Sequence, residues 1–343
     1  MWYYFHDVKY AGKHHLFLLF VFSLPIVFLA MPYVLPFALF LVYRDSFVSM
    51  KNYISGRTIY TKCGTPIDRK EFNQWLAGLW EGDGHVFVPK TTHSTTNNHA
   101  MPSSISITVA AADLPLAELL KDIYGAHIRN KTSEGAYVVV FNSIASQQLF
   151  LSTVNGYLRT PKYHQLVHLN NWLYNKSGFV LEMLPIDTSP INSTGWLAGF
   201  IDADGSFGLS IRSGGTRPRR VTARFRLEQR MVDPKTGESY ESVLLAIANY
   251  LGCKLNISTH GETQYYIIEL STQTKLPLLV EYLAIYPLLT SKANNYRDWL
   301  TGFNIILAKG HLTPEGSSTI KTLISGINSK RTVFDFSHLD CYK

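Results

Sequence analysis

The chain has 343 residues and a formal net charge of +7, from 32 Lys and Arg against 25 Asp and Glu. That length holds two domains and an appendage, and the positive balance favours a polyanionic partner. Its three cysteines, Cys63, Cys253 and Cys341, are odd in number and far apart, which excludes a disulfide framework and a cysteine zinc cluster and points to a reducing compartment.

From Leu16 to Tyr43 there is no charged residue. At roughly 28 positions the run exceeds the ~20 needed to span a bilayer. Pro25, Pro32 and Pro36 would kink it, which membrane helices tolerate better than soluble ones. A cleaved secretory signal fits poorly, because the run is too long and no small-residue cleavage site follows. A membrane anchor and a buried helix both remain open for this leader, residues 1–60. The polar stretch from 45 to 70 reads as a linker to a domain that Glu71 or Phe72 opens.

The next stretch is Trp75-Leu76-Ala77-Gly78-Leu79-Trp80-Glu81-Gly82-Asp83-Gly84. Leu76, Ala77 and Leu79 favour a helix, and Gly84 sits where one should stop. His85 to Lys90 then alternates as a strand does, a polar loop follows to Ser104, and Ser104 to Val109 alternates again. Asp113 to Tyr124 has helical spacing closed by Gly125. Tyr137 to Phe141 reads as a strand, and Ser143 to Val154 and Pro161 to Tyr174 read as helices.

Roughly 120 positions on, the first pattern returns as Trp196-Leu197-Ala198-Gly199-Phe200-Ile201-Asp202-Ala203-Asp204-Gly205. The interval is too long for a solenoid and suits two fused domains. The same elements follow: strands Ser206 to Arg212 and Arg219 to Arg230, a helix from Ser239 to Leu251, strands Lys254 to Ser258 and Gln264 to Ser271, then helices Lys275 to Tyr286 and Ser291 to Leu307. This order predicts an α+β architecture in which each half has an antiparallel sheet, helices on one face and the other face free. The expected domains are 68–178 and 190–308, followed by a polar tail, 309–343, in which the sequence shows no function.

The repeated stretch has its own chemistry. Gly78 and Gly82 fall on one helical face, as do Gly199 and Ala203, so two smooth stripes predict two helices packed on each other. Asp83 and Asp204 then meet at the last turns, where the helix dipole is already negative. Two carboxylates and free carbonyls gathered there call for a cation. Hard oxygen donors suit magnesium or manganese, and such a centre suits phosphodiester hydrolysis. The carbonyls of Gly82 and Ala203 are candidate extra ligands. An EF-hand is excluded, since neither copy has the three spaced acids and later glutamate. On the strand from Arg220 to Arg230 one parity carries Arg220, Thr222, Arg224, Arg226, Glu228 and Arg230, the other Val221, Ala223, Phe225 and Leu227. Alternation therefore gathers arginines on the free face.

The doubled stretch resembles the LAGLIDADG motifs of homing endonucleases and the related intron maturases, over roughly residues 70 to 300. The resemblance implies the single-chain form: two pseudo-symmetric αββαββα halves with antiparallel saddle sheets, acting as a monomer. It implies a magnesium-dependent (or manganese-dependent) double-strand break in a DNA target, or assistance to splicing of the host intron RNA. It also implies that Ser210, Arg212, Thr222, Arg224 and Arg226 face the bases. Lys162 and Lys292, each just before the last helix of its half, resemble the lysine near the attacking water or scissile phosphate. Gln229 resembles a water-orienting polar residue, for which the first half offers Ala110, Ala111 and Ala112, so unequal half-sites are expected. Glu81 stands where the family usually has its first Asp. Members are often encoded in organellar introns, mitochondrial more than chloroplast, so the leader has a third reading as upstream sequence translated in frame.

Overall fold

The computed structural model describes residues 69–343 except 92, 94–98, 100, 215–216 and 343. The expected leader with its candidate membrane segment, the linker and Cys63 lie outside the described residues. Among the described residues no helix is long and apolar enough to cross a membrane.

The first half runs α1 (Arg69–Asp83), β1 (Gly84–Phe87), β2 (Ser104–Ala110), α2 (Leu114–Tyr124), β3 (His127–Lys131), β4 (Ala136–Phe141), α3 (Ile144–Val154) and α4 (Tyr163–Ser177). The second repeats it as α5 (Trp196–Asp204), β5 (Gly205–Gly214), β6 (Arg217–Arg230), α6 (Glu241–Tyr250), β7 (Leu255–His260), β8 (Thr263–Leu270), α7 (Leu276–Ile285) and α8 (Lys292–Leu307). The sheet orders are β1-β2-β4-β3 and β5-β6-β8-β7, all antiparallel. Each half thus closes with two helices where the family formula has one.

Side-chain alternation decides which face of each sheet is covered. Ile105, Ile107, Val109, Val139 and Phe141 are buried in the first half, and Val221, Ala223, Phe225, Leu227, Ile268 and Leu270 in the second. Their neighbours of opposite parity, such as Ser106, Thr108 and Arg224, point away from this core. Helices α1 and α5 are apolar on nearly every side. Leu76, Ala77, Leu79 and Trp80 are buried in one, Trp196 through Ile201 in the other. A helix apolar all round is one that the fold encloses. Gly125, at φ 63°, ends α2 as its position promised, its N–H bonded to the Lys121 carbonyl.

Four details differ from the sequence reading. The strand expected from His85 to Lys90 stops at Phe87; Pro89 has no N–H to lend a ladder. Strand β3, His-Ile-Arg-Asn-Lys, escapes periodicity because only Ile128 in it is apolar, and it forms by backbone pairing to β4. The register pairs Gly84 with Ile107 and Gly205 with Leu227, so the counterpart of Gln229 is the buried Val109 and not Ala110. The tail folds as α9 (Pro314–Gly326), capped by the Thr313 hydroxyl on the Gly316 N–H, and a 3-10 turn over Ser337–Tyr342. Ile320, Ile327 and Leu339 are buried in it, Arg331 pairs with Asp298 and Asn328 donates to the Phe207 carbonyl; apolar anchors this sparse give no helical period.

Candidate active site

Helices α1 and α5 touch through backbone. A Cβ added at Gly78 would lie 2.0 Å from the Trp196 carbonyl oxygen, and one at Gly199 would lie 1.8 Å from that of Trp75. At Gly82 it would lie 2.1 Å from the Ala203 Cβ. The four interface residues Gly78, Gly82, Gly199 and Ala203 therefore meet as the small-residue stripes require. The same approach brings the C-terminal ends together: the Gly82 Cβ position is 3.0 Å from Asp204 Oδ2. Asp83, exposed, and Asp204, half-buried, stand side by side there.

Both lysines reach this point. Lys162 Nζ donates to the carbonyls of Gly82 (2.7 Å) and Gly84 (2.9 Å). Lys292 Nζ donates to those of Ile201 (2.9 Å) and Ala203 (3.0 Å). Each ammonium sits where a helix dipole is negative and its last carbonyls are unpaired. The Gly82 and Ala203 carbonyls, foreseen as metal ligands, thus already accept from lysine, each keeping a second lone pair. Burial lowers the pKa of both lysines, and the nearby carboxylates oppose it, Asp204 and Asp83 at Lys162 and Asp202, Asp83 and Asp204 at Lys292. Burial, then the charge of Asp83, pushes Asp204 up to about 7. The surrounding protein raises Asp83 as well, against the pull of Lys292 and Lys162. Gln229 Nε2 donates to Asp204 Oδ2 at 2.9 Å, which brings the fifth expected catalytic side chain to the same carboxylate.

The first acids of the two motifs do something the sequence did not disclose. Glu81 is fully buried and accepts from the backbone N–H of Arg159 (2.8 Å) and Thr160 (2.7 Å), the Thr160 hydroxyl (2.6 Å) and Trp196 Nε1 (2.6 Å). Asp202 repeats the set with Leu289 N–H (2.7 Å), Thr290 N–H (3.4 Å), the Thr290 hydroxyl (2.5 Å) and Trp75 Nε1 (2.8 Å). Each acid therefore fixes the turn that presents its own half's lysine and holds the tryptophan that opens the other half's motif. The signal was available as two repeats, Trp followed six positions later by an acid and Thr two positions before Lys. A second pair of contacts crosses the halves: Asp113 Oδ1 accepts the Ser291 N–H, and Asp233 Oδ2 accepts from Gln165 Nε2 at 3.0 Å.

The free face of the second sheet carries the arginines as alternation foretold. Ser210, Arg212 and Arg224 are exposed, and Thr222 and Arg226 are half-exposed. Two of these arginines face acids: Arg226 lies 2.7 Å from Glu228, and Arg224 lies 3.7 Å from Glu269.

The centre is a pair of hard carboxylates with adjoining carbonyls. Among the described residues no group of three His, Cys, Asp or Glu side chains joins in a metal-holding cluster. The donor set present fits a small divalent cation of oxygen preference: both aspartates are held against their own charge, and only glycine at 82 leaves room beside Asp204.

Fold and site together define a pseudo-dimeric α+β protein with two antiparallel sheets and one shared carboxylate pair where its two motif helices end. The family model described as LAGLIDADG endonuclease matches residues 76–173 and 197–302, and the chain belongs to that family. Among curated relatives, intron-encoded DNA endonuclease aI3 of Saccharomyces cerevisiae is 29% identical over 315 residues, 80% of this chain and 75% of that protein. Intron-encoded RNA maturase bI4 of the same yeast is 30% identical over 139 residues, 39% of this chain and 19% of the relative. The solved I-SmaMI LAGLIDADG homing endonuclease bound to cleaved DNA shares the fold, with a TM-score of 0.58 at 20% identity, over 76% of this chain and 98% of that one.

Proposed function

We propose that this chain is an intron-encoded homing endonuclease that makes a site-specific double-strand break in DNA by divalent-metal-dependent phosphodiester hydrolysis. The observation that carries the reading is the meeting of Asp83 and Asp204 at touching helix ends, with Lys162 and Lys292 on the adjoining carbonyls. The halves, 68–178 and 190–308, each serve one strand.

Asp83 and Asp204, with the free lone pairs of Gly82 and Ala203, would hold magnesium or manganese, whose bound charge would polarise the phosphate and activate water. Gln229 orients a water beside Asp204. Lys162 and Lys292 supply positive charge where the pentacoordinate phosphate gathers negative charge, and their hydrogen bonds to the helix-end carbonyls place that charge in advance. Ser210, Arg212, Thr222, Arg224 and Arg226, on the free face of the second sheet, would meet the duplex and face its bases.

A second reading, assistance to splicing of the host intron RNA, is favoured by the maturase among the relatives. An organellar source, mitochondrial in the first instance, accords with the intron-encoded relatives. The test is magnesium-dependent cleavage by the full chain of a duplex carrying the intronless junction of its host gene. Double-strand cuts lost in Asp83→Asn and Asp204→Asn would support the nuclease. An Asp83→Asn protein cutting both strands at full rate would sink the metal assignment. No cleavage, with tight binding to the unspliced intron, would leave the maturase.

A further inference from the structure

The two free sheet faces differ in chemistry far more than in shape. In the second half, β6 and β8 place Arg226 beside Glu269 and opposite Ser206, and Arg224 opposite Gly208. The side chains then pair. Arg226 Nη2 lies 2.7 Å from Glu228 Oε2, His260 Nε2 lies 2.7 Å from Glu228 Oε1, and Arg224 Nη1 lies 3.7 Å from Glu269 Oε2. All remain reachable, from 26% exposed at Glu228 to 55% at His260.

Glutamates on a surface that meets a polyanion are unfavourable against phosphate. Two partners offset that cost: an arginine held in place, and the amino group of a base edge. Arginine forks onto guanine O6 and N7, and glutamate accepts from cytosine N4. Both residue types thus recognise the same base pair, from either strand.

The first half has one sheet arginine, Arg129, and no acid on its strands to hold it. No Asp or Glu occurs in β1 to β4. The register lays His85, Ser106, Val140 and His127 in one row across its free face, and Thr108 and Arg129 in the next, on either side of the buried Val138. Phe87, 48% exposed, stands at the edge beside Ser104. Hydroxyls and apolar groups suit the thymine methyl and its neighbouring adenine, and a serine or threonine hydroxyl donates or accepts as the base edge requires.

We propose that the two halves read chemically different half-sites: G·C-rich under β5 to β8, through the Arg224–Glu269 and Arg226–Glu228–His260 groups, and A·T-rich under β1 to β4, through Ser106, Thr108, Val140 and Phe87. The inference rests on the DNA-reading role above and names the substrate class of that same surface. In the free protein the guanidinium groups already pair with the glutamates, so less side-chain freedom is lost on binding.

The experiment is selection of randomised duplexes by the full-length chain, followed by sequencing of the bound pool. The expected pool has one half enriched in G·C pairs and the other in A·T. Arg224→Ala should lower the preference at one position of the G·C half by on the order of tenfold, and Ser106→Ala should flatten a position in the other half only. Specific binding with two halves of like composition overturns the inference alone. So does an Arg224→Ala change that falls in the A·T half. Sequence-blind binding, or none, overturns the endonuclease reading together with it.

Discussion

Trp196 donates its indole N–H to Glu81 Oε2 at 2.6 Å, and Trp75 returns the contact to Asp202 Oδ2 at 2.8 Å. The two motif helices are thus bolted by their own first and seventh residues, and the bolt ends on the turns that carry the lysines. One consequence concerns the glutamate that departs from the family pattern. The longer side chain still reaches all of its donors: Arg159, Thr160 and Trp196.

Glu81→Gln replaces an acceptor oxygen by an NH2 group facing buried donors. Leaving buried donors unpaired costs about 1–3 kcal/mol. The expected outcome is a lower midpoint of thermal unfolding and a looser Lys162 turn, seen as nicked plasmid accumulating before linear product. Equal stability and an unchanged ratio of nicked to linear DNA would show that the bolt does not position the lysine.

The helix contact makes a separate demand. A methyl at Gly199 would fall 1.8 Å from the Trp75 carbonyl and 2.7 Å from the Leu79 nitrogen. Both are backbone atoms of a packed helix, so relief requires the helices to part. Gly199→Ala should destabilise by about 3 kcal/mol or prevent folding. Gly208→Ala is the control, because its new Cβ meets only Arg224 Nε at 4.0 Å. Urea unfolding of both variants checks the pair, and equal loss at the two sites would refute the close-approach account.

How much of this could be read before the fold was known depends on range. The helix stripes, both aspartates and the arginine parity were legible because each is fixed by local periodicity or by the repeat. The roles of Glu81, Asp202, Thr160 and Thr290 went unread, since their partners lie 78 to 127 positions away and the repeated Trp–acid and Thr–Lys spacings mark the positions without naming the partners. Gln229 reaches Asp204, but the counterparts expected for it, Ala110 to Ala112, begin one residue past the place. A single-residue register error exchanges the two sheet faces, and only the Gly84–Ile107 pairing reveals that Val109 fills the place. The tail escaped notice for lack of an apolar period: α9 buries Ile320 alone, and ion pairs and hydrogen bonds such as Arg331–Asp298 and Asn328–Phe207 complete its docking.

The lysines should separate binding from chemistry. Lys162→Met and Lys292→Met each keep the side-chain stem against its helix end and remove the ammonium. Loss of one preplaced charge at a developing oxyanion costs roughly 100- to 1,000-fold in rate. Target affinity should change little, as both groups are half-buried at the centre and tied to helix-end carbonyls, while the sheet supplies most of the contact. Single-turnover cleavage and gel-shift titration on one duplex would read both quantities. A variant that binds poorly and cleaves normally once saturated would reverse the assignment.

Asp113 gives the pH dependence that is simplest to isolate. Burial raises its carboxyl from an ordinary 3.8 to about 6, while the Ser291 N–H it accepts pulls the other way. Asp202 adds to the rise and Lys292 opposes it. A raised acid favours the protonated form in the folded state. Its contribution is therefore fully favourable below the unfolded pKa and is lost as pH rises through the window from 3.8 to about 6. Asp113→Asn keeps an acceptor for Ser291 and carries no charge at any pH. Relative to the native chain, the variant should gain stability across that window, by on the order of 2 kcal/mol, and hold the gain above it. Urea unfolding at pH 4 and pH 7.5 measures the difference directly. A difference that stays constant between the two pH values would mean that Asp113 is ionised at ordinary cost, and that the Ser291 contact offsets its burial.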